Sequence, residues 1–159
     1  MAIILVHPIP LLAVLKLGPA MPKGKHSRIR SDHSTELAED YVEAIAEVIQ
    51  KQGSCRAVDL VARFEVTHVT VKRTLGRLKR DGYVELVPYG PVALTLRGKR
   101  LARISAERHV TVFEFLRALG ISAATAMVDS EGIEHHVSAE TLEAMREFTA
   151  RQAKTSNVT

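Results

Sequence analysis

Glu65-Val66-Thr67-His68-Val69-Thr70-Val71-Lys72-Arg73-Thr74-Leu75-Gly76-Arg77-Leu78-Lys79-Arg80 is the segment that decides the fold. Val71, Leu75 and Leu78 recur at i, i+4 and i+7, an apolar stripe of helical period. The remaining face carries His68, Thr70, Lys72, Arg73, Thr74, Arg77, Lys79 and Arg80, with five Lys or Arg and no acid between 68 and 80. Thr67 stands where an N-cap hydroxyl is needed. Just upstream, Ala57 to Phe64 places Val58, Leu60, Val61 and Phe64 as a second, shorter helix, and Glu65-Val66-Thr67 leaves room only for a tight turn. Helix, tight turn and cationic helix form the helix-turn-helix pattern. Downstream, Asp81-Gly82 stops the helix, Tyr83 to Val87 alternates as a strand, Pro88-Tyr89-Gly90-Pro91 turns, and Val92-Ala93-Leu94 returns. A hairpin directly behind such a helix is a wing, so the expected partner is double-stranded DNA. Arg73, Arg77, Lys79 and Arg80 are expected on phosphates, which gives salt-sensitive affinity. Thr67, His68, Thr70 and Lys72 lie toward the helix N-terminus, the end that usually approaches base edges.

Upstream of this unit, Glu36 to Lys51 repeats Leu37, Tyr41, Ala44, Ile45, Val48 and Ile49 at helical spacing, and Gly53 ends the helix. Asp40 and Glu43 are i, i+3 neighbours on it, although carboxylates early in a helix also complement its dipole. Residues 1–35 are expected to be a disordered or mis-assigned extension. Met1 to Ala20 is apolar but broken by Pro8, Pro10 and Pro19, and its first charge is Lys16. That order fits neither a secretory signal nor a membrane helix, and it suggests a start at Met21. Pro22 to His33 reads as a basic disordered arm.

Downstream, Thr95 is placed to cap a helix that runs from Leu96 toward His109 and continues through Val112, Phe113, Phe115, Leu116 and Leu119, with Gly120 just past its end. This is more apolar surface than one thin domain buries, which implies a homodimer. Ser122 caps the next helix, and Ser138 caps a last one from Ala139 to about Arg151 with Leu142, Met145 and Phe148 on one side. Between them stands Glu131-Gly132-Ile133-Glu134-His135-His136. Read as helix, Glu131, Glu134 and His135 share one face at i, i+3 and i+4. Two carboxylates and an imidazole there suit a divalent cation, or else form a solvated acidic face. Charge is segregated: Ile121 to Glu147 holds six acids and one Arg, against the basic 68–108 stretch.

Composition narrows the class. A hydrophobic content of 46% supports a core, and with aromatics at 4% and no Trp that core must be aliphatic. The single cysteine, Cys55, permits no internal disulfide and fits a reducing, cytoplasmic setting. An enzyme is not expected. There is no His-Glu-x-x-His, and Glu131 and Glu134 are followed three places on by Glu134 and Val137 rather than by the His of a di-iron bundle. Neither a membrane nor a small organic substrate is implied.

With these residues in view, the chain resembles the manganese-responsive regulators of the diphtheria-toxin-repressor family. The features that carry the resemblance are Glu131-Gly-Ile-Glu134-His135-His136, Arg108-His109 before an apolar helix, Asp40-Tyr-Val-Glu43, and Leu94-Thr95-x-x-Gly98 after the wing. It covers residues 36–150. It implies a mainly α protein with a winged helix-turn-helix domain over 36–96, an all-helical metal-binding and dimerisation domain over 97–151, and a flexible tail over 152–159. It also implies a metal ligand set of Asp40, Glu43, His109, Glu131, Glu134 and His135, holding two Mn²⁺ per subunit. Iron-sensing relatives place sulfur ligands where Asp40 and Glu131 stand, so oxygens at these positions favour manganese. His136 and Cys55 fall outside the set. The implied activity is Mn²⁺-dependent DNA binding, usually repression of manganese-uptake genes. The alternatives are an iron-responsive regulator of the same family and a winged-helix regulator that senses another ligand.

Overall fold

The computed structural model describes residues 25–88 and 90–156, with side chains from Ser34 to Lys154. Residues 1–24, and with them the expected start at Met21, lie outside the described residues. The order of elements is α1 (Lys25–Gln52), α2 (Ala57–Phe64), α3 (His68–Arg80), β1 (Val84–Leu86), β2 (Val92–Leu94), α4 (Leu96–Ala118), α5 (Ala123–Ile133), a 3₁₀ turn (Glu134–His136) and α6 (Ala139–Ser156). The fold is mainly helical, with one small antiparallel hairpin. No helix among the described residues is long and apolar enough to cross a membrane.

The N-terminal half forms around one largely aliphatic core. Tyr41, Val42 and Ile45 of α1 meet Leu60 of α2, the Val71, Leu75 and Leu78 stripe of α3, and Val84, Val92 and Leu94 of the hairpin. Tyr41 stacks on Phe64 at 4.3 Å between ring centroids. The tight turn before α3 places Glu65 in the left-handed region, at φ 53°. The Thr67 hydroxyl accepts from the Thr70 N–H at 3.2 Å, the expected cap. Thr67→Ala is expected to cost about 1 kcal/mol of stability in a denaturant titration, because the α3 amide loses its acceptor. β1 and β2 pair Val84 with Leu94, Glu85 with Ala93 and Leu86 with Val92. Cys55 is fully buried beside this hairpin and bridges to Val92. Burial, with Asp59 nearby, pushes its thiol up to about 11. The folded protein is therefore expected to resist iodoacetamide at pH 8 and to react once denatured; alkylation of the native chain at the rate of a free thiol would contradict this.

Four expectations are corrected. Residues 25–33, read as part of a disordered arm, are helical: no Gly or Pro interrupts the chain between Lys25 and Gln52, and Gly53 at φ 82° stops it. The first strand is shorter than Tyr83–Val87. The Tyr83 N–H donates back to Leu78 O and its carbonyl accepts from Thr95 N, so Tyr83 belongs to the turn. The segment bearing Glu131, Glu134 and His135 is not one helix, since α5 ends at Ile133 and a 3₁₀ turn follows. The Arg108 guanidinium holds that turn by donating to the Glu134 and Val137 carbonyls, acceptors that α5 itself does not use. At the far end, α6 runs on to Ser156, past the start of the expected tail at 152.

In the second half, α5 and α6 pack on α4. Val112, Ala126 and Leu142 are buried, and Phe115 meets Phe148 edge-on at 5.4 Å. Leu119, Met127 and Val128 remain exposed.

Candidate metal centre

Glu36, Asp40, Glu43 and Glu47 recur along α1 at i, i+4, i+7 and i+11, and this acidic stripe forms one wall of a cavity of about 690 Å³. His109 of α4 and Met127, Glu131, Glu134 and His135 from α5 and the turn after it line the facing side, and Ala44, Arg63 and Phe64 close one end. All six ligand positions implied by the resemblance therefore face a single cavity between α1 and the α4–α5 region. The carboxylates outnumber the rings, and the ligand atoms are hard oxygens and imidazole nitrogens, a donor set suited to Mn²⁺ or Fe²⁺.

The side chains are paired rather than converged. His109 Nδ1 lies 2.8 Å from Glu134 Oε2. His135 Nδ1 lies 2.8 Å from Glu39 Oε2, and its Nε2 faces Asp40 Oδ1 at 3.3 Å and Glu134 Oε1 at 3.6 Å. The Ser105 hydroxyl donates to Glu43 Oε2 at 2.8 Å. Each ring is thus matched to a carboxylate, and among the described residues no three His, Cys, Asp or Glu side chains close on a common point. Glu131 stands on the exposed side of the cavity. His136 turns out toward Glu36, 3.6 Å away and largely exposed.

Burial and like charge set the electrostatics of the cavity. Glu134 is 4% exposed. Burial raises its pKa to about 7 against the pull of His109, with Glu43 adding to the rise. Burial also raises Asp40, opposed by His135 and helped by Glu131, Glu39 and Glu43. Burial pulls His135 down, but the Glu39 hydrogen bond and the charges of Asp40 and Glu134 outweigh it, so the net shift is upward. Glu134 Oε2 is buried and accepts no aligned hydrogen bond, despite its 2.8 Å approach to His109. An orphaned carboxylate oxygen facing imidazole and carboxylate ligands is what a bound divalent cation would satisfy, so the residues fit such an ion.

Some residues that matter here were missed by sequence reasoning. Glu39 gives no periodic signal, because it sits beside the acidic stripe rather than on it. Arg108 was noted only as a flank of His109, yet it fixes the turn that carries Glu134 and His135. On α3, Thr67, His68, Thr70, Lys72, Arg73 and Arg80 are exposed and Arg77 is half-buried, while Thr74 is buried. Val69, absent from the expected contacts, is 77% exposed at the helix N-terminal end.

Comparison with known proteins places the chain in a family. Residues 33–92 match the N-terminal DNA-binding domain of the iron-dependent repressors, and residues 95–155 match their metal-binding and dimerisation domain. The transcriptional regulator MntR of Escherichia coli O157:H7 is 46% identical over 124 residues, covering 78% of this chain and 80% of that one. A manganese-dependent transcriptional repressor solved in complex with manganese superposes with a TM-score of 0.64 at 27% identity, over 71% of this chain and 52% of that one. IdeR of T. acidophilum superposes at 0.62 with 26% identity, over 69% and 52%. The chain thus spans about half the length of these solved relatives. Both domains match, in order and with little between them, and the identity to MntR extends over most of the sequence: the chain belongs to the iron-dependent, or diphtheria-toxin, repressor family, on its MntR branch.

Proposed function

We propose that this protein is a Mn²⁺-dependent DNA-binding repressor that acts as a homodimer in the cytoplasm. The observation that carries the reading is the single cavity whose walls come from both halves of the chain and hold all six implied ligands. Asp40, Glu43, His109, Glu131, Glu134 and His135 would hold the metal, two ions per subunit. Bound there, the metal supplies a cross-link between α1 and the second domain. The names of the E. coli and manganese-bound relatives support manganese, as do the hard oxygens of Asp40 and Glu131.

The chain's own residues connect this site to DNA. Asp40 and Glu43 sit on the helix whose Tyr41, Val42 and Ile45 pack in one core with Leu75 and Leu78 of α3. Fixing α1 therefore fixes the recognition helix. Exposed Lys72, Arg73 and Arg80 and half-buried Arg77 would meet the operator, with His68 and Thr70 near its bases. Exposed Leu119 and Val128 on the second domain support pairing with a second copy. DNA and metal then strengthen each other's binding by linkage.

The test is fluorescence anisotropy with DNA from upstream of a manganese-uptake gene, titrated with protein in chelator, Mn²⁺ or Fe²⁺. Affinity is expected to rise steeply with Mn²⁺. Equal affinity in chelator would make the protein a winged-helix regulator of another signal. The family description names iron, and a response to Fe²⁺ but not Mn²⁺ would move the chain to that branch.

A further inference from the structure

We infer that Glu39 is a positioning residue of the cation site: its buried carboxylate holds His135 by Nδ1 and so presents Nε2 as the ligand atom. The inference rests on the metal reading above. Glu39 is 9% exposed, and a carboxylate is costly to bury unless it is paired. Its partner is His135 Nδ1, at 2.8 Å. The opposite nitrogen of the same ring faces Asp40 Oδ1 at 3.3 Å and Glu134 Oε1 at 3.6 Å. Asp40, Glu134 and His135 line the cavity, and Glu39 does not. Glu39 therefore stands behind the ring, not across the cavity from it.

The chemistry follows from the proton count of imidazole. A neutral ring carries one proton, and a carboxylate at Nδ1 keeps it there, which leaves the lone pair on Nε2. An acceptor behind a ligating histidine also orients the ring. The second ring of the site is held the other way round. His109 turns Nδ1 to Glu134, while its Nε2 lies 3.4 Å from the Ser130 hydroxyl, which itself donates to Met127 O at 3.0 Å. The two imidazoles thus offer opposite nitrogens to one cavity, each braced from behind by a different kind of acceptor. The Glu39–His135 bond also joins α1 to the turn after α5.

The test uses the full chain as wild type, Glu39→Ala and Glu39→Gln. Mn²⁺ affinity is read by competition with a fluorescent chelator, and the His135 tautomer by the imidazole ¹⁵N shifts of the metal-free protein. Glu39→Ala is expected to weaken Mn²⁺ binding about 10–100-fold and to lose the Nδ1–H signature. Glu39→Gln, whose amide oxygen still accepts from Nδ1–H, is expected to stay close to wild type in both. The inference is overturned if Glu39→Ala binds Mn²⁺ like wild type. It is equally overturned if Glu39→Gln falls as far as Glu39→Ala, because Glu39 would then act by its charge or as a ligand. A wild-type chain that fails to bind Mn²⁺ would instead remove the metal reading itself.

Discussion

Gly98→Ala is expected to cost about 3 kcal/mol of stability and to lower the melting temperature by about 10 °C. A Cβ at this position would run into the Tyr83 carbonyl oxygen, and it would stand 3.0 Å from the Tyr83 carbonyl carbon and 3.2 Å from Leu94 Cδ2. The obstacle is backbone and it is held on several sides. The Tyr83 carbonyl accepts from Thr95 N at 3.0 Å. The Thr95 hydroxyl donates to Gly82 O at 2.7 Å and accepts from Gly98 N at 3.0 Å. Moving Tyr83 away from the new methyl would break the cap of α4 and pull on the hairpin together. Thermal melts followed by far-UV circular dichroism would measure the loss. A cost under about 1 kcal/mol would show that the close approach relaxes without breaking these bonds.

Glu134→Gln is expected to separate stability from function. The substitution removes a buried charge whose Oε2 has no aligned hydrogen bond. The metal-free melting temperature should therefore hold or rise, as at other sites kept for function at a cost to the fold. Mn²⁺ affinity should fall by more than about 100-fold, since even outer-shell changes cost 10–100-fold and this one removes a charged ligand oxygen. The Mn²⁺-dependent rise in DNA affinity should vanish with it. Retained metal response in the anisotropy assay would remove Glu134 from the ligand set. A large drop in the metal-free melting temperature would instead assign it a structural role.

The local features of the fold were legible because their causes are local. Thr67, Thr95 and Ser122 announce helix starts by their hydroxyls, and each accepts the expected N–H. The stripe of Val71, Leu75 and Leu78 gave both the helix and its buried face. The site was legible only as a set of residue types. Among Glu36, Glu39, Asp40, Glu43 and Glu47, spacing cannot say that Glu39 turns behind His135 while the others face the cavity, because that depends on where the turn after α5 docks. Nor could spacing show how the turn after Ile133 is held, because Arg108, which donates to the Glu134 carbonyl, is 26 residues away along the chain.

The single helix from Leu96 to Ala118 has a mechanical meaning. Its first turn is clamped to the wing base through Thr95 and Gly98, and from its middle Ser105 bonds Glu43, Arg108 bonds the Glu134 carbonyl and His109 lines the cavity. About 14 residues separate Thr95 from His109, a stiff arm of roughly 20 Å at 1.5 Å per residue. Pivoting such an arm by about 10° sweeps its far end through some ~4 Å, close to the spacing of successive base pairs. A pivot of that size at the site would be felt at the wing as a displacement of about one base-pair step. Stiffness between Gly98 and His109 is then a property on which repression depends, and a flexible insert there would uncouple sensing from DNA grip while leaving each end intact.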